Sequence, residues 1–446
     1  MSIKFQTPEY KENHAKLIKM SELYAGNDSV KKQGSKYLDK HALEEDDKFE
    51  QRLNRSSFYN YLKEALDDST SKLFRIKPIV DYKVKYDKFI NNINGEGDNI
   101  YQFLMNVSDK VQRDGHTFVW VDAGSDITDV NWNPYFTQID RINVINPKYK
   151  KINGVKTLVQ AVIKQVITVD VIGSEYETKE EEIYIDITAE RIKFFDSNGE
   201  KVKEDVLNIG VMPLIKIKSG HNMPYEDLAD LNLDHYNIYS DLRYNLHMTN
   251  TPMYVFHGLE QEMGKDNNVK VGVNKALSFG NKQEEGLEIV EAKGSTIETS
   301  RNVLKDIKEE IVKKTSSIMN KTFNTATEAN LHDKNSNLLL VDIAINIEKG
   351  IEQCISIAEE FYGESIDFKL TLNKDFNDTK LDSQTIFALN TMIDNNSLPL
   401  DIFWDTLIDG EIIPDFDYNQ AKTQLKEQQE YLNPSNKDKV KVEQPK

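Results

Sequence analysis

The side chains with the widest catalytic and metal-binding chemistry in this sequence are eight histidines and one cysteine, Cys354. The histidines are His14, His41, His116, His221, His235, His247, His257 and His332. None of them forms an HExxH motif or a pair at i and i+4, the spacings that place two imidazoles on one zinc ion. A single cysteine also excludes cysteine-based zinc sites and disulfides within the chain. We therefore expect no metal and no cofactor, and Cys354 fits a buried small side chain.

Motifs for phosphate binding and nucleophilic catalysis are absent from the sequence as well. No GxxxxGK[ST] loop occurs, Gly95-Glu96-Gly97 lacks the third glycine of a dinucleotide-binding turn, and there is no GxSxG elbow. The acidic clusters at 44–47 and 180–182 are typical of solvated surfaces, with metal binding as the alternative. Catalytic triads are spatial arrangements that spacing alone does not reveal. The sequence therefore predicts a protein that is not an enzyme, with an intracellular hydrolase as a remaining alternative.

The composition is that of a soluble protein with two or three domains. The chain has 446 residues, of which 39% are hydrophobic and 29% charged. The net charge of −18 argues against a surface that grips nucleic acid broadly, because that needs clustered lysine and arginine. It does not exclude a protein that encloses DNA without gripping it. No uncharged apolar run is long enough to cross a membrane, and the N-terminus lacks the apolar stretch of a secretory signal.

The chain is organised around residues 226–320, which read as a helix, a small β module and a second helix. Apolar residues recur at i+3 or i+4 along both helices, interrupted by one histidine. The first stripe consists of Leu228, Leu231, His235, Tyr239, Leu242 and Leu246, and the second includes Leu304, Ile307 and Ile311. Thr251-Pro252 ends the first helix. Because such a rod has no core of its own, we expect both stripes to pack against other copies of the chain.

Two histidines on the first of these helices, His235 and His247, are the ones whose position suggests a role. We favour packing or subunit contacts for both, with a pH-sensitive contact as the alternative. The spacing of residues along this helix indicates no catalytic or metal-binding partner for either imidazole ring. The sequence therefore predicts a structural role for them and no catalysis.

The rest of the chain divides into helical and strand-rich parts, which predicts an α+β fold. Residues 8–80 read as helices, 117–122 as a strong strand, and 135–219 as almost entirely strands, with a hairpin turn at 196–199. A polar segment at 322–330 separates the second rod helix from an apolar helix over 337–361. Residues 381–432 read as helices with breaks at 395–399 and 410–417, and a polar, lysine-rich tail follows.

Short motifs follow one another in a fixed order over about residues 20 to 430. They include Tyr37-Leu38, Phe49-Glu50-Gln51-Arg52-Leu53, Lys72-Leu73-Phe74-Arg75, Asp114-Gly115-His116-Thr117-Phe118, Pro213-Leu214-Ile215, Asp234-His235-Tyr236, Thr325-Ala326-Thr327-Glu328-Ala329 and Leu372-Asn373-Lys374-Asp375-Phe376. Each motif alone is weak, and their order and spacing carry the signal. In this arrangement the chain resembles the portal proteins of tailed bacteriophages.

The resemblance implies a multi-domain portal fold: a mixed α/β wing, a two-helix stem, a small α/β clip, a long wing helix and a C-terminal helical crown. The wing would comprise a helical part at 1–80 and an α/β part at 81–225. The stem helices would be 226–250 and 297–321, with the clip at 251–296 between them. A tunnel loop at 322–336, the long wing helix and strand at 337–375, the crown at 376–432 and a disordered tail at 433–446 would follow.

The resemblance also implies a function without catalysis. Portal subunits form a ring, usually a dodecamer, at one capsid vertex, where the ring is the DNA channel for genome packaging and ejection. The implied partners are copies of the chain, double-stranded DNA, the terminase large subunit, a head–tail adaptor, and the major capsid and scaffolding proteins, with no membrane. The protein would reside in the virion, and in the host cytoplasm during assembly. Another virion protein, such as an adaptor or minor head protein, is the alternative.

Two sets of residues would face the DNA if the resemblance holds. The tunnel-loop set is Phe323, Asn324, Thr325, Thr327, Glu328 and Asn330, whose polar members suit a contact without sequence readout. The channel belt is Lys305, Lys308, Lys313 and Lys314. Elsewhere we expect the channel face of the stem to be acidic or neutral, because a wall that repels phosphate lets DNA slide.

Overall fold

The computed structural model describes residues 2–124, 132–170, 176–249, 253–257, 286–290, 295–319, 326–374, 376, 383–395, 397–409, 412–414 and 416–432. The fold is α+β, as the sequence predicts. Two compact units divide the chain, residues 1–376 and residues 377–446. Each unit has its own hydrophobic cluster.

Four helices open the chain in the part that was predicted to be helical. They are α1 (Pro8–Tyr24), α2 (Asn27–Lys32), α3 (Asp46–Arg55) and α4 (Tyr61–Leu73). The first helix begins because the Thr7 hydroxyl accepts a hydrogen bond from the Tyr10 backbone N–H at 3.3 Å, and Pro8 suits the first turn. Leu17, Met20, Leu62 and Leu66 are buried in one cluster that joins α1 to α4.

Two antiparallel sheets follow and form the strand-rich part of the first unit. The elements are β1 (Ile79–Asp81), α5 (Asp87–Ile90), α6 (Ile100–Asp114), β2 (His116–Ala123), β3 (Pro134–Ile139), β4 (Val144–Ile152), β5 (Val155–Asp170), β6 (Thr178–Thr188), β7 (Arg191–Phe195), β8 (Lys201–Val206) and β9 (Leu214–Lys218). The smaller sheet has the order β3-β2-β9 and the larger one β4-β5-β6-β7-β8. The predicted hairpin turn at 196–199 connects β7 to β8, which confirms it.

Helix α6 is linked to β2 by a glycine that the geometry requires. Asn99 and Gln102 form a capping box at the start of α6, which satisfies two backbone donors. At its end Gly115 has φ of 80°, and a Cβ there would lie 2.6 Å from the Met223 backbone nitrogen. Only glycine tolerates both the left-handed backbone and the close approach.

The organising segment has the predicted order of elements. It consists of α7 (Glu226–Thr249), β10 (Met253–His257), β11 (Gly286–Val290), α8 (Ser295–Met319) and α9 (Ala326–Tyr362), and β12 (Lys369–Thr371) then pairs with β1. Helix α9 packs on β2, β3 and β9 in the main core, where Cys354 is fully buried as expected. A Cβ on Gly350 would lie 2.5 Å from Cγ1 of Ile217, so this glycine lets α9 approach the sheet closely.

The predicted tunnel loop at 322–336 is wrong for most of its length. Helix α9 begins at Ala326, eleven residues before the predicted start at Asn337, so residues 326–336 are helical. Residues 322–325 lie outside the described part of the chain. The segment is polar, but it contains neither glycine nor proline, and polar residues alone do not stop a helix.

The described residues of the second unit form three helices, with the predicted breaks between them. They are α10 (Ser383–Asp394), α11 (Leu400–Asp409) and α12 (Tyr418–Leu432). Phe403, Trp404 and Leu407 of α11 form its buried centre. Within the described residues, no helix is long and apolar enough to span a bilayer, and no group of three histidine, cysteine or acidic side chains is placed to hold a metal ion.

Candidate functional site

Helices α7 and α8 form an antiparallel pair with two short strands at its far end. Lys314, near the end of α8, forms an ion pair at 2.9 Å with Asp227, at the start of α7. At the other end β10 pairs with β11 in antiparallel register, from Met253 opposite Val290 to His257 opposite Gly286. The helices have 24 and 25 residues. At 1.5 Å per residue each is about 36 Å long, which makes a long hairpin of helices.

The apolar stripe of α7 is covered within the chain, contrary to expectation. Leu228 of the stripe is 2% exposed and belongs to the cluster that contains residues of α1 and α4, as does Tyr236, which lies beside the stripe. Leu242 is buried as well, and Leu231 is partly buried against the same cluster. The prediction that this stripe needs other copies of the chain is therefore wrong for its buried leucines, because the N-terminal helices cover them; Tyr239 and Leu246 are only partly buried.

Helix α8 differs from α7 because most of its surface stays open. Of the three stripe residues named for α8, only Ile311 is buried, while Leu304 and Ile307 are partly buried. Val303 is 38% exposed, and charged residues precede and follow it along the helix. The described apolar side chains of α8 therefore stay more open than the leucines at the start of α7.

Polar side chains of α7 form hydrogen bonds with the N-terminal part of the chain. These contacts are not among the predictions from the sequence. Asn232 is fully buried; its side-chain oxygen accepts from the Leu62 N–H at 3.1 Å, and its amide donates to the Tyr59 carbonyl at 2.8 Å. Asn237 similarly accepts from the Asp39 N–H at 2.9 Å. A buried side-chain amide with two backbone partners fixes the position of one element against another. Asparagine inside an apolar helical stripe is the signal that would have pointed to these contacts.

Arg52 of α3 forms the most elaborate of these contacts. Its guanidinium donates to both carboxylate oxygens of Glu44 at 2.8 Å, and to the Ser240 hydroxyl of α7 at 3.2 Å. The Ser240 hydroxyl also accepts from Ser56 at 2.7 Å. The hydrogen bonds from Arg52 hold the pKa of the Glu44 carboxyl below its usual range. Both side chains of the pair are almost completely buried, so each depends on the other for its charge.

His235 lies in an aromatic cage on the buried side of α7. Its ring stacks on Tyr239 at 5.9 Å and meets Tyr61 edge-on at 5.1 Å and Tyr59 at 6.0 Å, between ring centroids. Nδ1 is buried and has no hydrogen-bond partner among the described residues. Burial, helped by the positive charge of Lys308, lowers the pKa of His235 to about 4. The ring is therefore neutral at pH 7 and packs as an aromatic side chain, in agreement with a packing role.

The burial of His235 in this cage predicts that this one residue makes the free energy of unfolding depend on pH in the acidic range. Because the folded-state pKa lies below that of an exposed histidine, the unfolded chain takes up the proton first as pH falls from 6.5 to 4. The His235 contribution is complete above pH 6.5 and is lost on acidification, by up to about 3 kcal/mol. We expect His235→Leu to remove this part of the pH dependence in urea unfolding curves. The same substitution at the exposed His247 should leave it unchanged, and identical slopes for both variants would contradict the assignment.

The four lysines of the predicted channel belt are exposed but not on a single face of α8. Lys305 lies 3.7 Å from Glu309 of the same helix, and Lys314 pairs with Asp227 of α7. Lys308 and Lys313 form no ion pair within the described residues. At about 100° per residue, Lys305 and Lys314 point to opposite sides of the helix. Lys314 lies on the side of α8 that faces α7 of the same chain. The channel role of these lysines stays a prediction.

The predicted DNA-contacting residues after α8 are divided by the start of α9. Phe323, Asn324 and Thr325 lie outside the described residues. Thr327, Glu328 and Asn330 lie in the first turns of α9, where the structure describes the backbone but not the side chains. Their contact with DNA stays a prediction.

A match to a known protein family covers the helix pair, its two strands and α9. Residues 224–362 match a protein family described as a domain of unknown function, DUF4055. The match begins two residues before α7 and ends at the last residue of α9. No curated protein matches the chain. The helix pair, its strands and α9 therefore coincide with one recognised sequence unit.

Two solved structures of gene transfer agent particles are also similar to the chain. A chain of the virion of a native particle has 10% sequence identity and a TM-score of 0.37, covering 76% of this chain and 85% of that one. A chain of the neck of an empty particle, computed with C6 symmetry, has 10% identity and a TM-score of 0.40. The second comparison covers 88% of this chain and 100% of that one.

Proposed function

We propose that this chain is the subunit of a portal ring in a tailed-phage-like virion, and that DNA passes through the ring. The observation that carries the proposal is the order α7, β10, β11, α8 and α9. It matches the order of stem, clip, stem and long wing helix that the sequence resemblance implies. In this assignment the helix pair is the stem and the two paired strands belong to the clip. The helical second unit corresponds to the crown.

The ring contact in this proposal differs from the one that the sequence suggests. The buried apolar residues of α7 already pack against helices of the same chain. In this proposal, the exposed side of α8 therefore makes the contact between neighbouring copies. A head-to-tail contact that repeats around an axis closes into a ring. Asp234 of α7 and Lys308 and Lys313 of α8 are exposed and form no ion pair within the described residues, so in such a ring they would pair between neighbouring copies. Complementary charges of this kind align neighbouring copies and contribute little to affinity.

The overall charge supports a channel through which DNA slides. The net charge of −18 per chain makes any ring of these subunits strongly negative. Phosphates are repelled by such a surface, so the wall does not hold the duplex in place. The proposed motor, a terminase, would supply the ATPase, and the absence of a nucleotide-binding motif in the sequence agrees with that division. The head–tail adaptor would later bind at the clip, and residues 322–325 with the first turn of α9 would approach the DNA.

Mass measurement and imaging of the purified full-length chain test the proposal. We expect native mass spectrometry to find a closed assembly of about a dozen copies of the 51.4 kDa chain. Negative-stain images are expected to show rings with a central hole. Double-stranded DNA should not bind tightly to the ring at moderate salt, because the wall repels phosphate. A chain that stays monomeric at high protein concentration and at the ionic strength of the cytosol would overturn the proposal.

A further inference from the structure

A cleft in the first unit, outside the helix pair, is lined by several basic side chains. It is small: a water-sized sphere can occupy about 30 Å³ of it, within about 380 Å³ that includes the open mouth, and it lies between the start of α1, the 3₁₀ turn Arg141–Asn143, and strands β2, β4 and β9. His116, Arg141 and Lys216 line it, together with Tyr149 and Glu9. None of these residues belongs to the helix pair or to the predicted DNA-contacting sets.

Strand pairing explains why two of the basic side chains share this cleft. In the β2–β9 register Phe118 lies opposite Lys216, and His116 lies opposite Lys218. His116 and Lys216 are therefore diagonal neighbours on one face of the sheet, where side chains of this length reach each other. Nζ of Lys216 lies 6.0 Å from the centre of the Phe118 ring. The ammonium is thus held over an aromatic face beside the imidazole.

Neither cationic group of the cleft forms an ion pair within the described residues. Lys216 forms no ion pair or hydrogen bond within the described residues, although it is partly buried. Arg141 is buried and uses only Nη1 in hydrogen bonds, to the Asp114 carbonyl at 2.7 Å and to the Asn222 side-chain oxygen at 2.8 Å. Buried or half-buried charges are normally paired, so two unpaired cations in one cleft call for an anion.

A hydrogen-bond donor in the cleft is also unsatisfied. The Tyr149 hydroxyl is buried and has no partner among the described residues. Burial raises the pKa of this hydroxyl to about 12, so it keeps its proton and remains a donor. The carboxylate of Glu9 lines the cleft from an exposed position and is not within ion-pair distance of either cation. The side chains that converge here are therefore mostly donors, which is the composition of an anion site.

We propose that this cleft binds a small free oxyanion of the phosphate or sulfate class. Lys216 and Arg141 supply the charge, and the Tyr149 hydroxyl supplies a neutral donor. The first turn of α1, which begins at Pro8 beside the cleft, adds the positive end of a helix dipole. The narrow space between α1 and the sheets selects a single small group and excludes the sugar–phosphate chain of nucleic acid. The bound anion ties α1 to both sheets of the unit.

The titration behaviour of the lining groups agrees with an uncompensated positive cleft. Burial, together with the charges of Arg141 and other basic groups, lowers the pKa of Lys216 to about 8 against the opposing effect of Glu9. Burial also lowers the pKa of Arg141, and burial with Lys216 and Arg141 lowers the pKa of His116 to about 2. An anion in the cleft reverses these effects by favouring the charged forms.

Thermal unfolding of the full chain in sodium phosphate and in sodium chloride, at equal ionic strength, tests the proposal. We expect phosphate to raise the Tm of the wild type progressively with concentration, because a ligand that binds only the folded state stabilises it. Lys216→Met should lose this increase, with an affinity about tenfold weaker or lower by isothermal calorimetry. The matched control is Lys218→Met, two residues along the same strand and exposed, which should respond to phosphate like the wild type.

Two further results keep the test decisive. In chloride alone, Lys216→Met should melt at or above the wild-type Tm, since it removes an unpaired, partly buried ammonium. Glu9→Gln should bind phosphate more tightly than the wild type, because it removes the one carboxylate that lines the cleft. The proposal is overturned if phosphate has no effect beyond that of chloride, or if Lys216→Met and Lys218→Met respond equally. If the cleft instead binds a carboxylate of another chain, phosphate will have no effect beyond that of chloride.

Discussion

Replacing Arg52 with methionine is expected to lower the free energy of unfolding by about 3–5 kcal/mol, because it leaves the buried Glu44 carboxylate without its partner. The guanidinium satisfies both oxygens of Glu44 and reaches Ser240 of α7. Methionine fills a similar volume but donates no hydrogen bond. Urea unfolding followed by far-ultraviolet circular dichroism measures the loss. Because Arg52 joins α3 to α7, the variant should also expose the amides at the centre of α7 to faster hydrogen exchange.

Two companion variants separate the buried pair from the loss of a positive charge. Arg55→Met, three residues further on the same helix, removes an exposed arginine and should change stability by about 0.5 kcal/mol or less. The double variant Arg52→Met with Glu44→Gln should recover a large part of the loss, because the glutamine carries no buried charge. If Arg52→Met and Arg55→Met proved equally stable, the pair would not support the helix. A double variant as unstable as the single one would show that packing, and not charge, is responsible.

Hydrophobic periodicity was sufficient to predict the elements that carry the proposed function. Both long helices of the pair, the strands between them and the end of α9 follow from the spacing of apolar residues and from Thr251-Pro252. The breaks between α10, α11 and α12 follow in the same way from turn residues. These features are local, so a window of about ten to twenty residues contains the information that determines them.

The contacts that cover α7 could not be predicted because they are not local. Arg52 and Ser240 are 188 residues apart, and Leu62 and Asn232 are 170 apart. An apolar stripe shows that a helix face will be buried, but it does not identify the partner. The pattern alone is equally compatible with packing against other copies, whereas α1 and α4 of the same chain cover Leu228. The asparagines and the serine within the stripe were a usable signal, since polar side chains on a buried face need specific partners.

The misplaced start of α9 has a different cause. The segment from Ala326 to Ser336 is rich in polar residues, and this polarity favours the prediction of a loop. A helix that is polar on all sides is stable when it continues from an apolar, well-packed helix, because propagation is easier than nucleation. Helix α9 satisfies this condition, because from Leu340 onward many of its apolar side chains are buried in the main core. The absence of glycine and proline from the segment was the better indicator.

Burial of the α7 stripe leaves α8 as the element whose substitution should have the largest effect on assembly. We expect Val303→Glu to abolish ring formation, because a carboxylate at a closely packed contact between copies is desolvated without a partner. Val303 is 38% exposed in the single chain, so the new carboxylate can reach solvent and the subunit should stay folded, with a loss of about 1 kcal/mol. Sedimentation velocity measures the loss of the ring, and thermal unfolding of the dissociated subunit measures the fold. The effect is repeated at every contact of a closed ring, which makes it all-or-none.

Val155→Glu is the matched control for this substitution, because Val155 is 66% exposed on strand β5, away from the helix pair. It introduces the same charge on the same type of side chain and should leave the ring intact. Leu242→Ala provides the opposite case: this buried residue of α7 should lower subunit stability by about 2–5 kcal/mol through the cavity that it leaves. A ring that forms normally with Val303→Glu would place the contact between copies elsewhere than on α8. Loss of the ring in Val155→Glu as well would indicate that assembly responds to net charge and not to this contact.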